Sequence, residues 1–291
     1  MAESIQFITK IEIKNLWNRY DLVWNLDRDV NILSGINGSG KSTILSIIAK
    51  FVAIRYLPPE LSDLIDALAI TFDNNEKFTA TNKFIQGVNI INRSIIVNRI
   101  STFDEPTKEG IWLDENVKTE LDKEFYRLEK RYLDYQLNIG KKAFEIVSHS
   151  NGTNAMQEVL NVKKQQERFL QIIDTLFKDT DKKIDRTKNE IAFICGGKTL
   201  TPYQLSSGEK QILVILLTVL IQNNKASILF MDEPEISLHF DWQKKLIQYI
   251  KELNPNVQII LATHSPAVVM EGWLDKVSEI SDLITLDRKA K

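Results

Sequence analysis

Gly35-Ile36-Asn37-Gly38-Ser39-Gly40-Lys41-Ser42 is the stretch that decides how this chain is read. The octapeptide fits G-x-x-x-x-G-K-[ST], a phosphate-binding loop. Its glycines let the backbone wrap close to phosphate oxygens, so that successive N–H groups and the start of the next helix face the anion. An apolar segment, Val30 to Leu33, runs into the loop, and Ser42 to Tyr56 leaves it with helical spacing. That strand–loop–helix context is what the motif requires. Gly35, Asn37, Gly38, Ser39, Gly40, Lys41, Ser42 and Thr43 are therefore the expected phosphate cradle. Lys41 should reach the β- and γ-phosphates of ATP, and the Ser42 hydroxyl should sit on Mg²⁺.

Upstream, Phe7 to Leu16 and Leu22 to Leu26 read as two β segments. Downstream, Pro58-Pro59 stops the helix after Tyr56, because proline cannot continue it. Leu61 to Leu68 reads as a short helix. Ile70–Phe72 and Phe78–Thr81 flank Asp73-Asn74-Asn75-Glu76 as a hairpin, and Ser94 to Val97 as another strand.

The texture changes near residue 114. Leu121, Phe125, Leu128, Tyr132 and Tyr135 step by four and three residues, and so do Val159, Val162, Gln166, Phe169, Ile173 and Leu176. This spacing predicts two helices around the polar break at 148–154, either an antiparallel hairpin or two amphipathic helices lying on the body. The last third returns to α/β alternation: helix Gly208–Gln222, strand Ser227–Met231, helix Asp241–Leu253 and strand Val257–Ala262. The fold class is thus α/β with an antiparallel N-terminal β segment and a helical-hairpin insertion. Three segments are expected: 1–113 with the phosphate loop, a short coiled-coil-like insertion at 114–190, and 191–291.

Composition bounds the rest. A net charge of -2 supplies no global drive toward nucleic acid or anionic membrane. Cys195 is the only cysteine, which excludes an intramolecular disulfide and leaves a small strand-end residue. The N-terminus lacks the apolar block of a signal peptide. The run Ile212 to Ile221 is shorter than the roughly 20 residues that span a bilayer. A cytoplasmic protein without a membrane partner is expected.

Ser227-Ile228-Leu229-Phe230-Met231-Asp232-Glu233 is an apolar strand ending in two acids. Beside a phosphate loop, Asp232 is expected in the Mg²⁺ shell and Glu233 as the general base that polarises water. Leu205-Ser206-Ser207-Gly208-Glu209-Lys210-Gln211 places serine and glycine at a helix start, which suits either a phosphate or plain helix capping. His264 follows the strand Ile259 to Thr263.

Together these motifs resemble the ABC ATPase superfamily, with Leu205 to Gln211 similar to its Leu-Ser-Gly-Gly-Gln signature except at Ser207 and Glu209. Met231-Asp232-Glu233-Pro234-Glu235-Ile236-Ser237-Leu238-His239 resembles a non-transporter branch. That branch holds the overcoming-lysogenization-defect family, RecF-like and SMC-like repair ATPases, and bacterial anti-phage defence ATPases. The resemblance covers residues 1–55 and 195–270. It implies that Ser206 and Gly208 bind ATP held by a second subunit, and that His264 is the switch histidine at the γ-phosphate. It also implies that Pro234 to His239 pairs across a homodimer sandwiching ATP. The 165 positions between Lys41 and Ser206 leave room for the hairpin, as SMC-type ATPases do for their arms. The glutamine expected between metal and helical subdomain has two candidate places, Gln86 and the Ile100–Asp104 loop, which holds none. The implied function is ATP-driven dimerisation controlling a separately encoded effector, a nuclease or toxin of an anti-phage system. A DNA-dependent repair ATPase and a transporter subunit are the alternatives, and the hairpin lysines are interleaved with acids, which favours a solvated face over a DNA track.

Overall fold

The computed structural model describes residues 6–81, 85–86, 96–100, 115–149 and 155–288. In chain order it holds β1 (Ile8–Leu16), β2 (Tyr20–Asn25), β3 (Val30–Ser34), α1 (Lys41–Ile54), α2 (Pro59–Ser62), β4 (Ala67–Phe72), β5 (Lys77–Thr81), β6 (Ile85–Gln86) and β7 (Ile96–Ile100). There follow α3 (Glu120–His149), α4 (Ala155–Phe177), β8 (Lys182–Ile184), β9 (Phe193–Cys195), β10 (Lys198–Leu200) and α5 (Ser207–Leu220). The chain closes with β11 (Ser227–Asp232), α6 (Phe240–Leu253), β12 (Val257–Ala262), α7 (Pro266–Val269), β13 (Val277–Glu279), α8 (Ile280–Leu283) and β14 (Ile284–Asp287).

These elements form two compact units that cut across linear order. One comprises Met1–Thr102, Lys225–Ile236 and Asn256–Lys291; the other comprises Phe103–Asn224 and Ser237–Pro255.

The first unit carries a six-stranded sheet in the order β14-β2-β1-β4-β5-β6 and a five-stranded sheet in the order β13-β3-β12-β11-β7. The first sheet is antiparallel and the second parallel throughout. Their strands show the matching burial: β1 buries Ile11 and Ile13 in alternation and Ile8 beyond a register irregularity, whereas every residue of β12 is buried. Helix α1 packs on β7, β11 and β12, and its Ile44, Ile48 and Phe51 join one core with Ile11, Ile70 and Phe230. Gln258 stitches this core together. Its side-chain amide donates to the carbonyls of Ile8 (2.7 Å) and Asp27 (2.8 Å) and accepts the Ile8 N–H, which satisfies a buried polar group.

Leu61 to Leu68 is not a helix. The helical turn α2 ends at Ser62, and β4 begins at Ala67 with period-two burial and pairs with β1. The sheet partner overrides spacing that alone suits a helix. The β4–β5 hairpin forms, with Asn75 left-handed at its turn (φ 63°). Helix α1 stops at Arg55, also left-handed, ahead of the two prolines. Gln86 lies in β6 opposite Thr79. The reading of Ser94 and Ser101–Asp104 lies outside the described residues.

The second unit is mostly helical, with the small sheet β10-β9-β8. Leu121, Phe125, Leu128, Tyr132 and Tyr135 of α3 are buried, as are Phe169, Ile173 and Leu176 of α4, while Val159, Val162 and Gln166 are half-buried, so the first seam and the C-terminal half of the second face inward. Gln166, a polar member of its seam, donates to the Tyr132 hydroxyl at 3.2 Å. Phe177 at the end of α4 packs on Phe193 and on Trp242 of α6, with centroids 5.4 and 5.7 Å apart. Cys195 ends β9, half-buried, its thiol 3.8 Å from the Thr180 carbonyl.

Candidate functional site

Two groups of predicted residues assemble, one within each unit. In the first unit the parallel strands β3, β11 and β12 end side by side, and the loops that follow them bring the phosphate loop, the acid pair and His264 together. Gly38 and Gly40 take left-handed backbone angles (φ 81° and 93°), which cost a residue with a Cβ. Asn37 and Gly38 are exposed at the loop tip, and Thr43 is half-buried in the first turn of α1. Lys41 is only 5% exposed, and its ammonium donates to the carbonyls of Gly35 (2.8 Å) and Ile36 (3.3 Å). It also stands 3.8 Å from the Glu233 carboxylate.

The Ser42 hydroxyl donates to Asp232 at 3.0 Å, so the two expected Mg²⁺ ligands already touch. Burial raises the Asp232 pKa, the Ser42 hydrogen bond opposes that, and the neighbouring Glu233 charge adds to it. A cation beside Asp232 would relieve the same cost. Ser39 Oγ, also in the loop, is buried without a hydrogen-bond partner, and nothing lies within 4 Å of where a Gly38 Cβ would stand. An orphaned donor, open space over glycine, a lysine and a paired hydroxyl and carboxylate together fit a nucleotide phosphate with its magnesium.

Glu233 follows β11 in a left-handed conformation (φ 49°), its N–H bonded to the Ala262 carbonyl at 2.8 Å. Such a conformation costs about 1–3 kcal/mol for a non-glycine residue and clusters at functional sites. His264 Nδ1 lies 2.5 Å from Glu233 Oε2, so the expected base and the expected switch residue are in contact.

The second unit holds Ser206 and Gly208. Ser206 is the N-cap of α5: its hydroxyl accepts the Glu209 N–H, while the Glu209 carboxylate takes the Ser206 N–H at 3.0 Å. Glu209 is buried and also accepts from Lys182 (2.9 Å) and Thr180 (3.0 Å), just beyond α4. Burial raises its pKa, but Lys182, the Ser206 N–H and the two hydroxyls outweigh that and hold it below the usual carboxylate range. The next residue, Lys210, pairs at 2.7 Å with buried Asp122, which itself accepts the N–H groups of Lys118 and Thr119 at the start of α3. Both hairpin helices are thereby fastened to the first turn of α5. A Cβ on Gly208 would meet the Ser237 carbonyl oxygen at 2.2 Å. His239 caps α6 and accepts the Asp241 N–H at 3.4 Å.

Two participants escaped the sequence reading. The Trp17 ring, at the left-handed turn between β1 and β2, lies so close to Gly40 that a Cβ there would be 1.9 Å from it. Glu235, in the loop expected to pair across a dimer, is buried and accepts from the Thr263 hydroxyl. The positive φ of Gly40 and the Thr263-His264-Ser265 run are local signals, but neither names the distant partner.

The Retron Vc95 probable ATPase of Vibrio cholerae serotype O1 biovar El Tor is 27% identical over 235 residues, 76% of this chain and 42% of that protein. The Septu protein PtuA of Bacillus thuringiensis is 24% identical over 311 residues, 93% of this chain and 74% of that protein. The chain therefore spans less than half the length of the retron relative. An SmcHead, solved bound to the C-winged helix domain of ScpA, superposes with a TM-score of 0.53 at 16% identity, over 98% of this chain and 99% of that one, so the fold is that of an SMC head. No helix among the described residues is long and apolar enough to cross a membrane. A family model described as "AAA domain, putative AbiEii toxin, Type IV TA system" matches residues 30–271, and the chain belongs to that family.

Proposed function

We propose that this protein hydrolyses ATP to ADP and phosphate and that two copies close around the nucleotide. The observation that carries the reading is the meeting of Lys41, Ser42, Asp232, Glu233 and His264 at the ends of three parallel strands. ATP is the substrate. Gly35, Asn37, Gly38, Ser39, Gly40, Lys41, Ser42 and Thr43 bind its phosphates through backbone N–H groups, the ammonium and the α1 start. Ser42 and Asp232 hold Mg²⁺, which supplies charge neutralisation at the phosphates. Glu233 accepts the proton of the attacking water, and His264, fixed against it, faces the transferred phosphate. Ser206 and Gly208 complete the site on a second copy, where an α5 N-terminus offers a hydroxyl and a positive dipole end.

The likeness to retron and Septu proteins supports a role in anti-phage defence, in which opening and closing controls a separately encoded nuclease or toxin. DNA is a secondary ligand on this reading, and no membrane partner is invoked. The test is phosphate release from Mg-ATP together with light scattering. Glu233→Gln should cut turnover by about 10²-fold or more and accumulate an ATP-dependent dimer. Lys41→Ala should lose both activities. A Glu233→Gln protein that stays monomeric in saturating ATP would remove the sandwich.

A further inference from the structure

Two side chains of the parallel sheet reach across to α1, one helical turn apart. Asp232 at the end of β11 accepts the Ser42 hydroxyl at 3.0 Å, and Arg99 of β7 donates from Nη2 to the Ser46 hydroxyl at 2.8 Å. Ser42 and Ser46 are four residues apart on α1, so their side chains share one face and stand about 5–6 Å apart. The strands repeat that spacing. β7 and β11 are parallel neighbours with Arg99 opposite Phe230, and Asp232 follows Phe230 by two residues on the same face of the sheet.

Ser42–Asp232 and Ser46–Arg99 are therefore adjacent rungs between helix and sheet. Rung spacing places the guanidinium about 5–8 Å from the Asp232 carboxylate, within one Debye length at physiological salt. Arg99 is exposed, and Asp232 is half-buried with Glu233 and Lys41 as its other charged neighbours. The carboxyl group registers them all: burial raises its pKa, the Ser42 hydrogen bond lowers it, Glu233 raises it, and the charges of Arg99 and Lys41 lower it. Lys41 is spoken for by the phosphate loop, where its ammonium donates to Gly35 and Ile36. Arg99 comes from the edge strand and stands on the opposite side of the Ser42–Asp232 pair from the loop tip.

We propose that Arg99 sets how tightly the site holds its metal: it is a fixed cation beside Asp232 that attracts the phosphates of bare nucleotide and opposes Mg²⁺ at the Ser42–Asp232 pair. On the ATPase reading above, Arg99 is thus a positioning residue that acts through Asp232. Ser46 keeps the guanidinium one turn away from the metal ligands, so it works as a charge and not as a ligand. Arginine suits the task, because it has no acceptor for a metal and stays protonated when a dication arrives. A site that must release ADP after each turnover is served by such opposition, since a metal held too firmly keeps the product with it.

The test is the affinity of Mn²⁺, a paramagnetic stand-in for Mg²⁺, for the full chain with ADP, read by electron paramagnetic resonance. Calorimetric titration of ADP in EDTA supplies the metal-free arm. Arg99→Met removes the charge and keeps most of the side-chain length. It should tighten Mn²⁺ about fivefold and weaken metal-free ADP about twofold. Opposite signs mark a charge effect, whereas a packing defect would weaken both. Arg99→Lys keeps the charge and should stay within about twofold of wild type in each arm. Because Arg99 is exposed, the Mn²⁺ gap between wild type and Arg99→Met should narrow from about 0.05 M to about 0.5 M KCl.

Equal Mn²⁺ affinity in wild type and Arg99→Met would overturn the proposal and leave the ATPase reading standing. So would a loss in both arms, or Arg99→Lys matching Arg99→Met. A wild type that holds no Mn²⁺ with ADP would remove the ATPase reading, and the role of Arg99 with it.

Discussion

Gly208 faces the carbonyl oxygen of Ser237 so closely that a Cβ on it would stand 2.2 Å from that oxygen. Sterics alone therefore require glycine here, at the start of α5, whatever ligand α5 meets. Gly208→Ala must displace either the α5 first turn or the backbone at 237. The expected cost is about 1–3 kcal/mol. Calorimetry should show the lowered Tm, and phosphate release should drop with it; an unchanged Tm would mean the contact relaxes freely.

Ser206 separates capping from catalysis. Ser206→Ala removes an N-cap and should cost about 1 kcal/mol. Ser206→Arg should abolish turnover, by about 10²-fold or more, while nucleotide binding measured by calorimetric titration stays nearly intact. Lost binding would mean that Ser206 acts on nucleotide held by its own chain.

Glu209 supplies a pH test with a definite sign. Its native pKa is lowered, so its contribution is present above the unfolded value of about 4.3 and vanishes as pH falls through the native one. Glu209→Gln leaves Lys182 without its buried partner and should cost about 2 kcal/mol at neutral pH. The gap to wild type should close in urea titrations run below about pH 4. A gap that persists in acid would assign the loss to packing.

At Gly40 two penalties coincide, a left-handed backbone and the Trp17 ring 1.9 Å from a Cβ. Gly40→Ala should weaken ATP binding about tenfold or more, since the loop cannot keep its shape. Adding Trp17→Ala removes the clash and leaves the backbone penalty of about 1–2 kcal/mol, so affinity should recover in part. Full recovery would show that the ring alone sets the constraint.

Chemistry that lies within a few consecutive residues was legible in the sequence. Gly35 to Ser42, Asp232-Glu233 and Ser206 each carry their own local context, and the structure brings the first two together. Helix seams were legible too, because α3 and α4 bury one face of regular period. Leu61 to Leu68 misled, since apolar spacing there suits a helix until β1 offers a pairing edge. Contacts between remote positions left no trace. Trp17 over Gly40, Gly208 against Ser237 and Thr263 on Glu235 span about two dozen residues or more, and spacing encodes neighbours along the chain rather than across it. The burial of Glu235 was not legible for that reason: it depends on the end of β12, where Thr263 meets it.

The fastening of α3 and α4 at Asp122 and Lys182 sits at one end of the hairpin, and nothing in those ion pairs depends on how far the helices continue. Reach and attachment are thus separable properties. Adding seven residues to each helix beyond the Tyr132–Gln166 layer keeps the seams in phase and lengthens the arm by about 10 Å. Such a protein would be a ruler of adjustable span on an unaltered base.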